Sequence, residues 1–537
     1  MSAWAEPGRP GWFPDAWSGS GAPWALAGLA VGGLWLDEPG APGTLPAPGV
    51  PAARRALAWS DTLAVSLVDE AAWRGFGAGL ARLRGTAVGP GQGRAVAMFQ
   101  VINGTNGYEG DALGIERGDS LIGLRVEMQT TANGAVGPLQ RGGRHQWGIE
   151  ARGARGASQW RAAYAQRGIG QLLADHDEEN AAGESGVVDY RVRGQRAWGR
   201  VILERGSTHQ ESSGDALLIS RRDAQENRAA AEAGRGLGAG TLALRLEWRE
   251  AAVARVTDLQ GVFDTRVQQW WSAARLERPL GAGLLDASFG AGRDGGSDRW
   301  TLAPAIATTF GGGARRARLS LARLLQPIWS DLAAGERPFL QSTWAAGAEL
   351  DAGSMRSRVR AMALAGRTAD RALVSRLPLP ELWMRAGLRR DAMRYRFALA
   401  SMSGRSHLGP LDMGGEGFVL GRDRDGGEPQ VDPNWGARAS TGFRFSAFQG
   451  DLGIALRAEA EWVGERETEE AAPRRLAAIT SFGAAAVFTL ADAALTLRAR
   501  NLEDRPREET WIDPLTGRPA LGPGLEVRGT FTWRLFN

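Results

Sequence analysis

Leu242, Leu244, Leu246 and Trp248 occupy every second position of one stretch, and Ala243, Arg245, Glu247 and Arg249 fill the positions between. The same rhythm recurs along the chain. Ile122, Leu124, Val126 and Met128 alternate with Gly123, Arg125, Glu127 and Gln129, and Trp147, Ile149 and Ala151 with Gly148, Glu150 and Arg152. Met393, Tyr395, Phe397 and Leu399 alternate with Arg394, Arg396 and Ala398. Ala437, Ala439, Thr441, Phe443 and Phe445 alternate with Arg438, Ser440, Gly442 and Arg444, and Ile454, Leu456, Ala458 and Trp462 with Ala455, Arg457, Glu459 and Glu461. Near the end, Ala493, Leu495, Leu497 and Ala499 face away from Thr496, Arg498 and Arg500. Leu525, Val527, Phe531, Trp533 and Leu535 likewise oppose Glu526, Arg528, Thr530, Thr532 and Arg534. Successive side chains of a strand point to opposite faces, so this period predicts strands with one apolar and one charged face. A soluble sandwich would hide the apolar face and expose the charged one. A membrane barrel with a wet lumen reverses this and needs Arg and Glu on the same alternate face of every strand. The recurrence favours an all-β chain forming one large antiparallel transmembrane barrel.

The connections alternate in length. Tight turns are predicted near Arg152–Ser158, Arg193–Gln195, Gly234–Gly240, Pro279–Gly283, Phe310–Arg315, Leu350–Ser354, Arg389–Ala392, Phe448–Leu452 and Leu490–Asp492. Longer polar loops are predicted between them, near Ile169–Glu184, Gly206–Arg222, Ala251–Asp264, Gly290–Asp298, Gln326–Pro338, Arg367–Leu379, Gly404–Asn434, Gly464–Arg474 and Leu502–Pro523. An up-and-down barrel gathers short turns at its periplasmic end and long loops at its external end. Counting from Ser120 gives about twenty strands, and Ala81–Ile102 supplies up to two more, so about 20–22 of roughly ten to fourteen residues each are expected, long enough to cross a bilayer at a barrel tilt. The division expected is an N-terminal Gly/Pro/Trp-rich segment over 1–90 and an outer-membrane barrel over 91–537.

Composition agrees without deciding. There is no Cys, which removes disulfides, thiol nucleophiles and thiolate metal sites. All 64 basic residues are Arg, and the net charge is only +4 with acids interleaved, so no nucleic-acid partner is called for. No run of eighteen or more uncharged apolar residues exists, so a transmembrane helix is not expected. The 21 Trp suit aromatic girdles at the two bilayer interfaces, and suit core packing equally well.

The tail carries a more specific signal. Ala499-Arg500-Asn501-Leu502-Glu503-Asp504-Arg505, then a loop, then Pro523-Gly524 and a closing strand with Trp533 and Phe536, resembles the end of a TonB-dependent outer-membrane receptor. The resemblance implies a barrel of twenty-two strands, a small-molecule ligand, outer-membrane lipid around the wall and a TonB-type energy transducer as partner. Glu503 stands where that family has an aromatic residue, Leu525 follows Pro-Gly in place of Arg, and Asn537 follows the final Phe536. The chain before the regular strands is short for the plug such receptors carry, and no TonB-contacting box stands out near its start. The resemblance therefore supports the barrel better than energised transport. Ala22 to Leu36 has the length of a signal-peptide core, but Glu6 and Asp15 precede it against Arg9 alone, and Asp37-Glu38-Pro39 follows. A strand or a buried segment reads as well there.

Chemistry-bearing residues are sparse. The chain has four His, at 145, 176, 209 and 407. His145 is expected on a solvated lumen or rim. Asp175, His176, Asp177 and Glu178 form the densest ligand-like cluster for a divalent cation, and a solvated loop tip is the plainer reading. Asp423–Glu428 resembles a calcium loop without its spacing, and Gly234–Gly240 lacks the helix a phosphate cradle needs. No cofactor and no enzymatic activity are expected. A rim enzyme would need a nucleophile beside His176, His209 or His407 in predicted loops. The Arg-rich inner face has two readings, an anion-selective lumen or Arg–Glu pairing across strands. Solute uptake across the outer membrane is the expected function. A plugless porin-like channel or a structural or adhesive barrel is the alternative.

Overall fold

The computed structural model describes residues 96–537 apart from 106–108, 119–121, 134–138, 174–177, 214–219, 258–260, 282, 295–299, 313, 329–338, 355–356, 370, 377–384, 392–394, 423–433, 468–473, 492, 506, 514–517, 523 and 537. The signal-like stretch, the expected 1–90 segment and the calcium-like loop lie outside the described residues. Among the described residues twenty-eight strands run in chain order. They are β1 Val96–Gly104, β2 Glu109–Gly118, β3 Ile122–Asn133, β4 Leu139–Arg155, β5 Ser158–Leu173, β6 Glu178–Arg193 and β7 Ala197–Ser213. Next come β8 Ser220–Leu237, β9 Gly240–Thr257, β10 Gly261–Leu280, β11 Gly283–Asp294, β12 Trp300–Gly312, β13 Arg315–Ile328 and β14 Phe339–Gly353. β15 Ser357–Ala369, β16 Arg371–Arg376, β17 Arg385–Asp391, β18 Tyr395–Leu408, β19 Leu411–Arg422, β20 Trp435–Ala447 and β21 Leu452–Val463 follow. The last are β22 Arg466–Glu467, β23 Arg475–Leu476, β24 Ile479–Leu490, β25 Ala493–Arg500, β26 Arg507–Asp513, β27 Arg518–Gly522 and β28 Glu526–Phe536.

Twenty-two of these form one sheet. Each pairs antiparallel with its sequence neighbour in the wall, and β1 pairs antiparallel with β28, Val96 opposite Phe536 and Gly104 opposite Arg528. The sheet closes on itself, so the wall has no free edge. The other six strands make three small hairpins, β16–β17, β22–β23 and β26–β27, within connections at one end.

Which face looks outward follows from crowding. Inside a closed cylinder side chains converge, and outside they diverge. Leu242, Leu244 and Leu246 are exposed, while Ala243, Arg245 and Glu247 between them are buried. The same split separates Val201 and Leu203 from Ile202, Val188 and Tyr190 from Asp189, and Trp270 and Leu276 from Arg275. The apolar rows therefore face out and the charged rows face in. An exposed apolar surface of this extent, facing away from a polar lumen, is the surface of a protein embedded in lipid.

Two aromatic pairs stand on the outer face, away from the tight turns. Trp147 packs on Tyr164 at 5.3 Å and Trp248 on Trp270 at 6.5 Å. Polar groups sit beside them: Trp147 Nε1 donates to Gln166 (2.7 Å), Tyr164 Oη to Glu184 (2.7 Å), and Arg266 Nε to Glu250 (2.9 Å). Rings with one wet edge beyond an apolar band mark a bilayer interface.

The expected loop pattern needs correction in two places. Ile169–Glu184, Gly206–Arg222 and Ala251–Asp264 were expected as loops. β5 to β10 run through most of them and reach 16–20 residues, beyond the expected ten to fourteen. Each extension is hydrogen-bonded on both flanks, so its backbone is satisfied even where its side chains are polar. Further on, Arg389–Ala392 is no turn of the wall: Arg389 to Asp391 belong to β17 of a loop hairpin. Gly404–Asn434, expected as one loop, contains the wall strand β19 and a turn at Gly409-Pro410, where Gly409 has φ +62°. The two errors cancel in phase, so the tail keeps its expected orientation.

Candidate functional site

Ion pairs line the inner wall at many of its described positions. On β6, Asp189 accepts from Arg200 of β7 through Nε and Nη2, both at 2.8 Å, and from Arg191 at 2.8 Å. Arg200 also approaches Glu232 of β8 at 3.8 Å, and Arg245 of β9 reaches the same carboxylate at 3.1 Å. Arg245 Nε donates to Glu247 at 3.0 Å. One chain of charges thus crosses four adjacent strands. On the next two, Arg275 grips Asp286 through Nε (2.7 Å) and Nη2 (2.6 Å) and also donates to Glu277 (2.6 Å). Farther round, Arg358 pairs with Asp351, Asp412 lies 3.2 Å from both His407 and Arg444, and Glu459 holds Arg457 (3.0 Å) and Arg498 (2.7 Å).

Period-two alternation brings these groups to one face, and register chooses the partners. Arg200 lies two positions along from Ile202, which stands opposite Asp189, so its side chain reaches diagonally to Asp189. Forked guanidinium–carboxylate geometry fixes both partners in orientation as well as in charge. Of the two readings of the Arg-rich face, pairing is the one realised at these positions.

The terminal motif forms a clamp at the base of the connection between β25 and β28. Asn501 and Asp504 take left-handed φ values of +51° and +52°, a conformation Asn and Asp tolerate better than other non-glycine residues. The Asp504 amide donates to the Asn501 carbonyl (2.8 Å), and Asn501 Nδ2 donates to the Arg505 carbonyl (2.9 Å). The Leu502 amide donates to the Phe482 carbonyl (3.1 Å), and Glu503 accepts from the Phe482 amide (3.4 Å), which ties the turn to β24. Asp504 Oδ1 accepts from the Leu525 amide at 2.7 Å, and a Cβ on Gly524 would clash with that oxygen. The motif residues thus share a local mechanical role, joining the exit of β25 to the entry of β28. Trp533 lies outward in β28 between Phe99 and Ala493, and the Phe536 backbone pairs with Val96. Pro523 lies outside the described residues. Asp504→Ala is expected to release the Leu525 amide at a cost of about 1 kcal/mol. Amide exchange at Leu525 would then accelerate roughly fivefold while wall amides hold their rates. An unchanged rate would mean that the clamp is not closed in solution.

Other candidates fare differently. Asp175, His176 and Asp177 lie outside the described residues, and Glu178 begins β6. Among the described residues no group of three or more His, Asp or Glu is placed to hold a metal ion. His209 and His407, expected in loops, lie within β7 and β18 and face Asp223 at 2.6 Å and Asp412 at 3.2 Å. His145 shares the outward face of Trp147 and Ile149 in β4, so it sits on the outer surface and not in the lumen. Gly234–Gly240 is a hairpin turn, with Gly238 at φ +61° between β8 and β9. The specific ion-pair partners were missed by sequence reasoning, because alternation gives the face and only register gives the neighbour.

A closed antiparallel barrel with an apolar exterior and a charged interior defines the class: a transmembrane β-barrel of the outer membrane. No protein-family model and no curated protein matches the sequence. Solved structures do. The copper transporter OprC aligns with a TM-score of 0.69 at 11% identity, over 84% of this chain and 82% of its own. The FrpB iron transporter from Neisseria meningitidis aligns at 0.66 and 8% identity, over 82% of each chain. The alcaligin outer-membrane receptor FauA from Bordetella pertussis aligns at 0.61 and 12% identity, over 83% of this chain and 76% of its own. The fold is that of the TonB-dependent outer-membrane receptors, as the tail motif implied.

Proposed function

We propose that the protein takes a small solute across the outer membrane as a receptor barrel, with external loops that capture the ligand and a TonB-type transducer on the periplasmic side. The observation that carries this reading is the closed twenty-two-strand wall, apolar outside and ion-paired inside, in the fold shared by a copper transporter and an alcaligin receptor. Those neighbours include a copper transporter and an iron transporter, so a metal or a small molecule carrying one is the first ligand class to test.

Planar-bilayer recording on the purified protein separates uptake from passive conduction. A receptor barrel is expected to be electrically silent or nearly so. A large, steady ohmic conductance would overturn the receptor reading in favour of an open channel.

A further inference from the structure

We infer that the turn-end rim of the outer wall binds the phosphates of anionic phospholipids, through Arg155, Arg235, Arg278 and Arg315. These four lie within three residues of the tight connections that close β4–β5, β8–β9, β10–β11 and β12–β13. All four are exposed. Alternation puts each on the outward face: Arg155 with Trp147 and Ile149, Arg235 with Leu237, Arg278 with Trp270 and Leu276, and Arg315 with Leu319 and Leu321.

Their neighbours set them apart from the Arg residues of the lumen. Inside, Arg200, Arg245, Arg275, Arg358 and Arg498 each meet a carboxylate. At this rim Arg155 stands opposite Ser158, Arg235 opposite Ala197 and Leu242, Arg278 opposite Leu285, and Arg315 opposite Gly312 and Ala352. In sequence, the residues joining these strand pairs, 156–157, 238–239, 281–282 and 313–314, include no acid. The same chain that pairs Arg with acid in the lumen therefore leaves these four opposite small or apolar groups.

Exposed Leu237 and Leu280 stand beside them and carry the apolar band down to the turns. A guanidinium at this height has its stem against acyl chains and its head among lipid headgroups. Short turns mark the periplasmic end, where the adjoining leaflet supplies phosphates. Planar guanidinium groups match phosphate oxygens in pairs. The inference rests on the membrane-spanning barrel and is independent of solute uptake.

The test uses the full-length protein refolded into vesicles of phosphatidylglycerol and phosphatidylcholine, then extracted and weighed intact with its retained lipids. Wild type is expected to retain phosphatidylglycerol several-fold over phosphatidylcholine. The variant carrying Arg155→Gln, Arg235→Gln, Arg278→Gln and Arg315→Gln is expected to lose that preference while keeping a heat-resistant folded band on a gel. Arg205→Gln with Arg266→Gln, on the outward face toward the loop end, is expected to keep it. If the fourfold variant does not fold, the single variants are each expected to lose part of the preference. Equal retention of both lipids by wild type would overturn the inference, as would an unaltered preference in the fourfold variant. Equal loss in the loop-end control, or equal retention of lipid A through the same four Arg, would also overturn it.

Discussion

Arg245→Leu is expected to lower the stability of the folded barrel by about 3–5 kcal/mol, because it removes the one guanidinium that two buried carboxylates share. Arg245 is 8% exposed and lies between Glu232 and Glu247, whose side chains are 5% and 1% exposed. A well-made buried pair adds little over an apolar replacement of the same shape, but half of one is costly. Changing Glu247 to Leu in the same protein is therefore expected to recover part of the loss. Urea titration in vesicles, followed by tryptophan fluorescence, reads both variants. A loss under about 1 kcal/mol for Arg245→Leu would mean that water reaches the network freely.

The next residue tests the other face. Leu246→Arg is expected to cost about 2–4 kcal/mol in a bilayer, the penalty for Arg on the lipid face near the midplane. Leu246 is 64% exposed and sits six residues into β9. That is roughly 20 Å along the strand and, at barrel tilt, roughly 15 Å from the turn, inside a hydrocarbon layer of about 30 Å. On a water-facing surface the same change would stay within about 0.5 kcal/mol. A small effect in vesicles would place this face in water and end the membrane assignment. Adjacent residues thus give destabilisation for opposite reasons, one from a missing charge and one from an added charge.

The wall was legible in the sequence wherever alternation was clean. β3, β9, β20, β21, β25 and β28 fall where Leu, Val or Phe alternate with Arg, Glu or Thr. β19 was missed because Leu411–Arg422 carries Gly at 414, 415, 417 and 421, which blunts the contrast between its faces. β2 escaped notice for a similar reason, with Gly110, Gly114 and Gly118 among its ten residues. The upper parts of β6 to β8 read as loops because their side chains are polar beyond the lipid, where alternation loses its energetic basis and only the ladder of backbone bonds remains. Of the site, the tail motif could be read as a resemblance, but its clamp could not. The contact between Asp504 and Leu525 depends on left-handed backbone at Asn501 and Asp504, which no periodicity reports.

The seam has its own implication for how such a molecule is made. The Thr105 amide donates to the Val527 carbonyl, and the Val527 amide returns the bond to Thr105 Oγ1, between residues 422 apart in sequence. Until β28 emerges, β1 and β25 each present an unsatisfied row of amides and carbonyls to whatever strand lies nearby. Contacts this distant form slowly, and neighbouring copies of the chain compete for the same edges. Biogenesis therefore demands escort in a dispersed state, then an insertion site that holds the first strand open and admits the last.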